Sequence, residues 1–177
     1  PAGRLTGGVQ GVGGLAQVIA GVQEWKKNNT FGATAFTAYG SCWMSLVAIW
    51  ILPMISFIAL DAATQQATVN AISAPTGELD LGFYLAIWGL FTLGMFVGTF
   101  KLNRALQVVF GTLTVLFFGL ACRDFLGAAG IEAGKTVGLI SGWIGIVCGL
   151  SACYTCIAQV LNEVYGKTVL PIGPMKK

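Results

Sequence analysis

Polar and apolar positions along this chain are segregated into long blocks. Residues 33–60, 81–100, 105–122 and 136–161 are runs of roughly 18–28 residues nearly without charge. A hydrocarbon core about 30 Å thick is crossed by about 20 apolar residues in a helix, so each run predicts a membrane span. The stretch 5–23 is weaker, since it holds six glycines, but it carries no charge after Arg4 and predicts a fifth. The expected fold is all-α: a polytopic membrane helix bundle, residues 1–177 forming a single transmembrane domain. Pro53, inside the 33–60 run, is read as marking the outer end of a span at 34–52.

Composition narrows the chemistry. Charged residues make up only 10% of the chain, and the mean hydropathy is +0.77, so the lipid bilayer is the expected surroundings. There is no histidine, and the seven acidic residues fall almost entirely at span ends or in loops. No paired carboxylates, Ser-His or Cys-His arrangement or phosphate cradle is visible, and no enzyme is expected. The glycines of 7–14 follow no strand. Gly7/Gly11, Gly94/Gly98 and Gly145/Gly149 have the GxxxG spacing that lets membrane helices pack closely. Cys153 and Cys156 have CxxC spacing, but no second pair or histidine completes a metal site; small packing residues are expected there, with no metal and no cofactor. The net charge of +3 is spread over loop ends and the tail and calls for no nucleic acid.

Charge also orients the chain. Loop 24–32 carries Lys26 and Lys27, the turn 101–104 carries Lys101 and Arg104, and the tail adds Lys167, Lys176 and Lys177. Loop 61–80 has acidic residues and no Lys or Arg. The positive-inside rule places the first three in the cytoplasm, with the C-terminus, and loop 61–80 outside. The loop at 123–135, with Arg123, Asp124, Glu132 and Lys135, falls outside by alternation. This scheme puts the beginning of the chain outside, which predicts an additional, sixth span ahead of the five visible ones.

Several strings then read together: KKNNTFGATAFTAYGSCW (26–43), FYLAIWGLFTLGMFVGTFK (83–101), LTVLF (113–117), SGWIGIVCGLSACY (141–154) and LNEVYGKTVLPIG (161–173). In order and spacing, from about residue 14 to 173, the chain resembles the acetate uptake transporter family of bacterial acetate/succinate transporters and yeast ammonia/acetate exporters. The family's first helix opens with an NPAPLGL-like signature that does not occur here, in accord with a first span missing from this sequence. The resemblance implies six helices around a pore in each protomer, a hexamer, and small monocarboxylates such as acetate, with succinate in some members, as solutes. It leaves open proton-coupled transport or channel-like passage, and the lack of an organelle signal fits a prokaryotic inner membrane. It also assigns Tyr39 and Leu113 to the narrow pore ring and Ala152 to a substrate-tuning position.

The residues themselves add candidates. A small carboxylate needs polar donors along its path, combined with apolar constrictions that gate by dewetting. Thr34, Thr37 and Ser41 stand at i, i+3 and i+7, one helical face, though their hydroxyls can equally bond their own backbone. Gln17 is a polar residue in an apolar span and either lines a watery path or bridges helices. Lys101, Asn103 and Arg104 would gather anions at an inner mouth, or simply obey topology. Glu24 and Glu163 end their spans on the inner side, where carboxylates are normally solvated. Two rival functions stay in play: a channel for ammonia or another small neutral solute, and a membrane scaffold without transport.

Overall fold

The computed structural model describes the backbone of residues 2–51 and 77–175, and the side chains of 10–50 and 77–175. Among them are five helices: α1 (Ala2–Lys26), α2 (Thr30–Ile51), α3 (Glu78–Thr99), α4 (Arg104–Ala128) and α5 (Ala133–Tyr165). The all-helical expectation holds, and each predicted run contains a helix. Residues 52–60 of the second run, and Pro53 with them, lie outside the described residues. The helices overshoot the apolar runs because their end turns carry charge. Glu78 and Asp80 form the first turn of α3, where the helix dipole favours anions, instead of lying in a loop. Arg123 and Asp124 likewise belong to the last turns of α4, not to a 123–135 loop. Among the described residues α3, α4 and α5 are long and apolar enough to cross a membrane. At 33 residues α5 runs about 50 Å at 1.5 Å per residue, well beyond a hydrocarbon core.

The chain divides into two compact units, residues 1–76 and 77–177. In the first, α1 and α2 form a hairpin closed by a three-residue turn. Asn28 takes a left-handed backbone there, φ 57°, which asparagine tolerates better than most residues. Asn29 caps α2: its side-chain oxygen accepts from Gly32 N at 3.1 Å, while its amide donates to the Glu24 carboxylate. Lys27 stands 3.8 Å from the same carboxylate. Glu24 is thus tied to the turn. The helices meet backbone to backbone along the face of α1 that bears Gly14 and Gly21. A Cβ on Gly14 would come within 2.8 Å of Gly40 O and 2.9 Å of Met44 Cγ, and one on Gly21 would strike Thr37. Among the GxxxG glycines, Gly94 and Gly149 have nothing within 4 Å of an added Cβ, and Gly11 and Gly145 make ordinary contacts at 3.9 and 3.5 Å.

In the second unit α3 packs on α4 and α4 on α5. The α3–α4 seam interlocks phenylalanine rings with glycines. A Cβ on Gly82 would stand 2.7 Å from the ring of Phe125, one on Gly89 3.0 Å from Phe118, and one on Gly111 3.1 Å from Phe96. Positions 82, 89 and 96 run down one helix as 125, 118 and 111 run up the other, a seven-residue repeat on both. Against α5, Gly138 accommodates the Arg123 stem and Gly119 faces Ser141. The fully buried threonines are satisfied within their own helix: Thr92 donates to Trp88 O at 2.7 Å and Thr99 to Phe96 O. Hydroxyls so engaged need no water in a bilayer.

Past Gly166, whose φ of 62° ends α5 in the left-handed region, the chain turns back. Asn162 grips it, accepting from Val169 N at 2.6 Å and Leu170 N at 3.0 Å and donating to Leu170 O at 2.8 Å. Tyr154 OH holds Pro171 O at 2.8 Å. The end of this strap then meets the α3–α4 turn: Ala105 N donates to Ile172 O, Arg104 N to Gly173 O and Met175 N to Leu102 O, at 2.9–3.1 Å.

Gly14→Val is expected to overpack the α1–α2 seam, lowering stability by about 1–3 kcal/mol. The purified protein's unfolding midpoint would show this, while Gly13→Ala, whose Cβ meets nothing within 4 Å, leaves the midpoint unchanged. Asn162→Ala removes three strap hydrogen bonds of about 1 kcal/mol each. Limited proteolysis with mass analysis should then find faster cutting within 167–175, and an unaltered cutting rate would contradict the strap.

Candidate pathway residues

The first unit presents a groove of about 700 Å³ between the C-terminal half of α1 and the start of α2, lined by Gly21, Trp25, Asn28, Thr30, Thr34 and Thr37 among others. Two of the hydroxyl candidates therefore share one concavity. Ser41, a turn further on, donates to Thr37 O at 2.9 Å, the backbone-bonded alternative foreseen for it. Thr37 Oγ1 lies against the Gly21 backbone. The groove can offer an amide, hydroxyls and an indole to a small polar solute.

Tyr39 does not join them. At 100° per residue it stands roughly 140–160° around α2 from Thr34, Thr37 and Ser41. The burial follows this division: Tyr39 is 7% exposed, beside Ala35, Cys42 and Leu46 on the buried side, whereas the three hydroxyl residues are exposed. The aromatic and the hydroxyl stripe therefore belong to different surfaces of one helix.

Gln17 is half-buried on α1, between Gly14 and Gly21 on the seam. Its Oε1 is shut from solvent and makes no hydrogen bond among the described residues, and Gln10, seven residues earlier, repeats the pattern. Such amides cost free energy in an apolar setting unless a partner arrives.

The remaining candidates belong to the second unit. Leu113 is half-buried on α4, and Ala152 is exposed on α5. Lys101 and Arg104 are exposed at the α3–α4 turn. Asn103 between them is 8% exposed and caps α4, accepting from Leu106 N at 2.8 Å. Its side-chain oxygen serves local structure, a role that the Asn-Arg start of an apolar run signals by itself.

One group passed over in the sequence reading is Asp124. It is 5% exposed and accepts from Arg123 Nε at 2.6 Å through Oδ1, while its Oδ2 is buried without a partner among the described residues. Its place next to Arg123 had the appearance of a solvated loop pair. Only the continuation of α4 to Ala128 puts it inside. Among the described residues no group of three or more His, Cys, Asp or Glu side chains is placed to hold a metal.

Comparison with known proteins agrees with the motif reading. The profile of the GPR1/FUN34/yaaH family matches residues 5–177. The succinate-acetate/proton symporter SatP of Escherichia coli K12 is 48% identical over 161 residues, covering 91% of this chain and 74% of that protein. The Saccharomyces cerevisiae ammonia transport outward protein 2 is 37% identical over 133 residues, 75% of this chain and 44% of its own. Among solved structures, the bacterial acetate channel SatP superposes with a TM-score of 0.74 at 46% identity, covering 90% of this chain and 76% of that one. This is an integral membrane protein, and it belongs to the GPR1/FUN34/yaaH family.

Proposed function

We propose that this protein carries acetate and related small monocarboxylates, succinate among them, across the bacterial inner membrane. Residues 1–177 act as one transmembrane domain, the C-terminus faces the cytoplasm, and the protein works as a homo-oligomer, a hexamer by family resemblance. The observation that carries the reading is the similarity over nine-tenths of the chain to a protein named as a symporter and to a structure named as a channel for acetate. It functions as a transporter and not as an enzyme.

In this reading Tyr39 and Leu113 are each assigned to an apolar narrow point by the family resemblance. Thr34 and Thr37 receive the solute in the groove, with Gln17 nearby on α1, and Ser41 shapes that wall through its backbone bond. Lys101 and Arg104, held by Asn103, concentrate anions at the inner mouth, and Ala152 tunes which acid fits.

Labelled-acetate flux into proteoliposomes tests this. Tyr39→Ala and Leu113→Ala should each change flux per assembled protomer by about tenfold, the effect of about 1.4 kcal/mol on a barrier, with assembly intact. Loss of assembly at constant flux per protomer would favour a scaffold, and ammonia flux without acetate flux a neutral-solute channel. Ala152→Phe should reorder the preference between acetate and succinate; an unchanged order would remove that residue from the path.

A further inference from the structure

The first turn of α4 is closed by chain from near the C-terminus. A helix leaves its first N–H groups without intrahelical acceptors, and such an end ordinarily draws anions. Here Arg104 N donates to Gly173 O at 2.9 Å and Ala105 N to Ile172 O at 3.1 Å. Leu106 N donates to the Asn103 side chain at 2.8 Å, and Gln107 N to Asn103 O at 3.2 Å. All four donors are taken, two of them by the strap. The backbone at this helix end has nothing left for a solute. Attraction for anions here therefore falls to the side chains of Lys101 and Arg104, both exposed.

The strap is fitted to Arg104 at one residue. Gly173 has φ 63°, a left-handed backbone that residues with a Cβ rarely adopt. A Cβ there would stand 3.1, 3.3 and 3.4 Å from Cβ, Cγ and Cδ of Arg104, so the arginine stem lies along the bare side of the glycine. The flanking contact is antiparallel. Met175 N donates to Leu102 O at 3.0 Å, and Pro174, which has no N–H to offer, stands opposite Asn103. The turn that bears both cations is thus gripped before and after Asn103. The strap itself is anchored on α5 by Asn162 and Tyr154. A long cationic side chain gives up rotamer freedom when it meets a carboxylate, and a braced stem has less of it to give up.

We propose that Gly173 is a positioning residue for solute capture, holding Arg104 as the group that meets an arriving carboxylate. The assignment rests on the anion-gathering role given to Arg104 above. Gly173 touches no solute and acts through the arginine. Its left-handed turn brings two strap carbonyls onto α4, and its missing side chain leaves room for the Arg104 stem. A side chain at position 173 displaces that stem, so Arg104 meets the carboxylate less often and less well aligned. The passage that follows capture is unaltered.

The test is labelled-acetate uptake against acetate concentration, at low and high salt, in vesicles holding one assembly each and captured by a C-terminal tag. Because the strap is bonded to the α3–α4 turn, this capture presents Lys101 and Arg104 to the medium whichever way the protein sits in a cell. Wild type should show a KM that rises with salt, as screening weakens the attraction. Gly173→Ala and Arg104→Gln should each raise KM at low salt by about threefold, the effect of one exposed charge contact. Each should also flatten the salt dependence and leave maximal flux little changed. The double variant should be no worse than either, since both act on one contact.

Gly173→Ala with the KM and salt dependence of wild type overturns the assignment; with Arg104→Gln impaired, the anion-gathering role then stands without it. Maximal flux lost at unchanged KM marks a merely structural glycine and overturns it too. Arg104→Gln behaving as wild type sinks the anion-gathering role and this assignment together, while acetate transport stands. Where Gly173→Ala fails to assemble, Asn162→Ala frees the strap from α5 without adding a side chain near Arg104. It should raise KM and flatten the salt dependence in the same way, and a wild-type response refutes the proposal.

Discussion

Helices already in a bilayer gain little by hiding apolar surface from one another, because lipid tails receive that surface equally well. What holds them is close van der Waals contact, and that depends on how near two backbones can come. Both units are organised by this constraint. Gly14 lies against Gly40 in the first, and three rings drop onto three glycines in the second. Everything else is arranged around seams whose geometry admits almost no extra atom. Hydroxyls turn back to their own helices, and large apolar side chains such as Trp143 and Leu150 are left facing outward, each about two-thirds exposed.

The helices were legible from the apolar runs because length and absence of charge are sufficient signals for a span. Their ends were less so. Glu78, Asp80, Arg123 and Asp124 looked like loop residues, yet a dipole or a neighbouring charge lets a helix carry them. The seams were legible only in part. GxxxG spacing drew attention to Gly94 and Gly149, whereas Gly82 and Gly89 on α3 and Gly111 on α4 are identified by the phenylalanines opposite them. A pattern spread over two helices does not show in a window along one.

The candidate residues divide similarly. Spacing correctly placed Thr34, Thr37 and Ser41 on one face, but could not show that Tyr39 turns to the other. Asn103 carried a capping signature that its charged neighbours masked. Asp124 was hidden for a different reason: a carboxylate beside an arginine reads as solvated until the continuation of α4 shows it buried.

The strap past α5 has a consequence for the order in which the second unit is made. Leu102 and Arg104 leave the ribosome about seventy residues before Met175 and Gly173, their hydrogen-bond partners. Throughout the synthesis and insertion of α4 and α5, the backbone groups of this turn have no partner from the strap. The turn is completed by chain made later, so the nascent protein passes through a stage in which α3, α4 and α5 have formed but this fastening has yet to close.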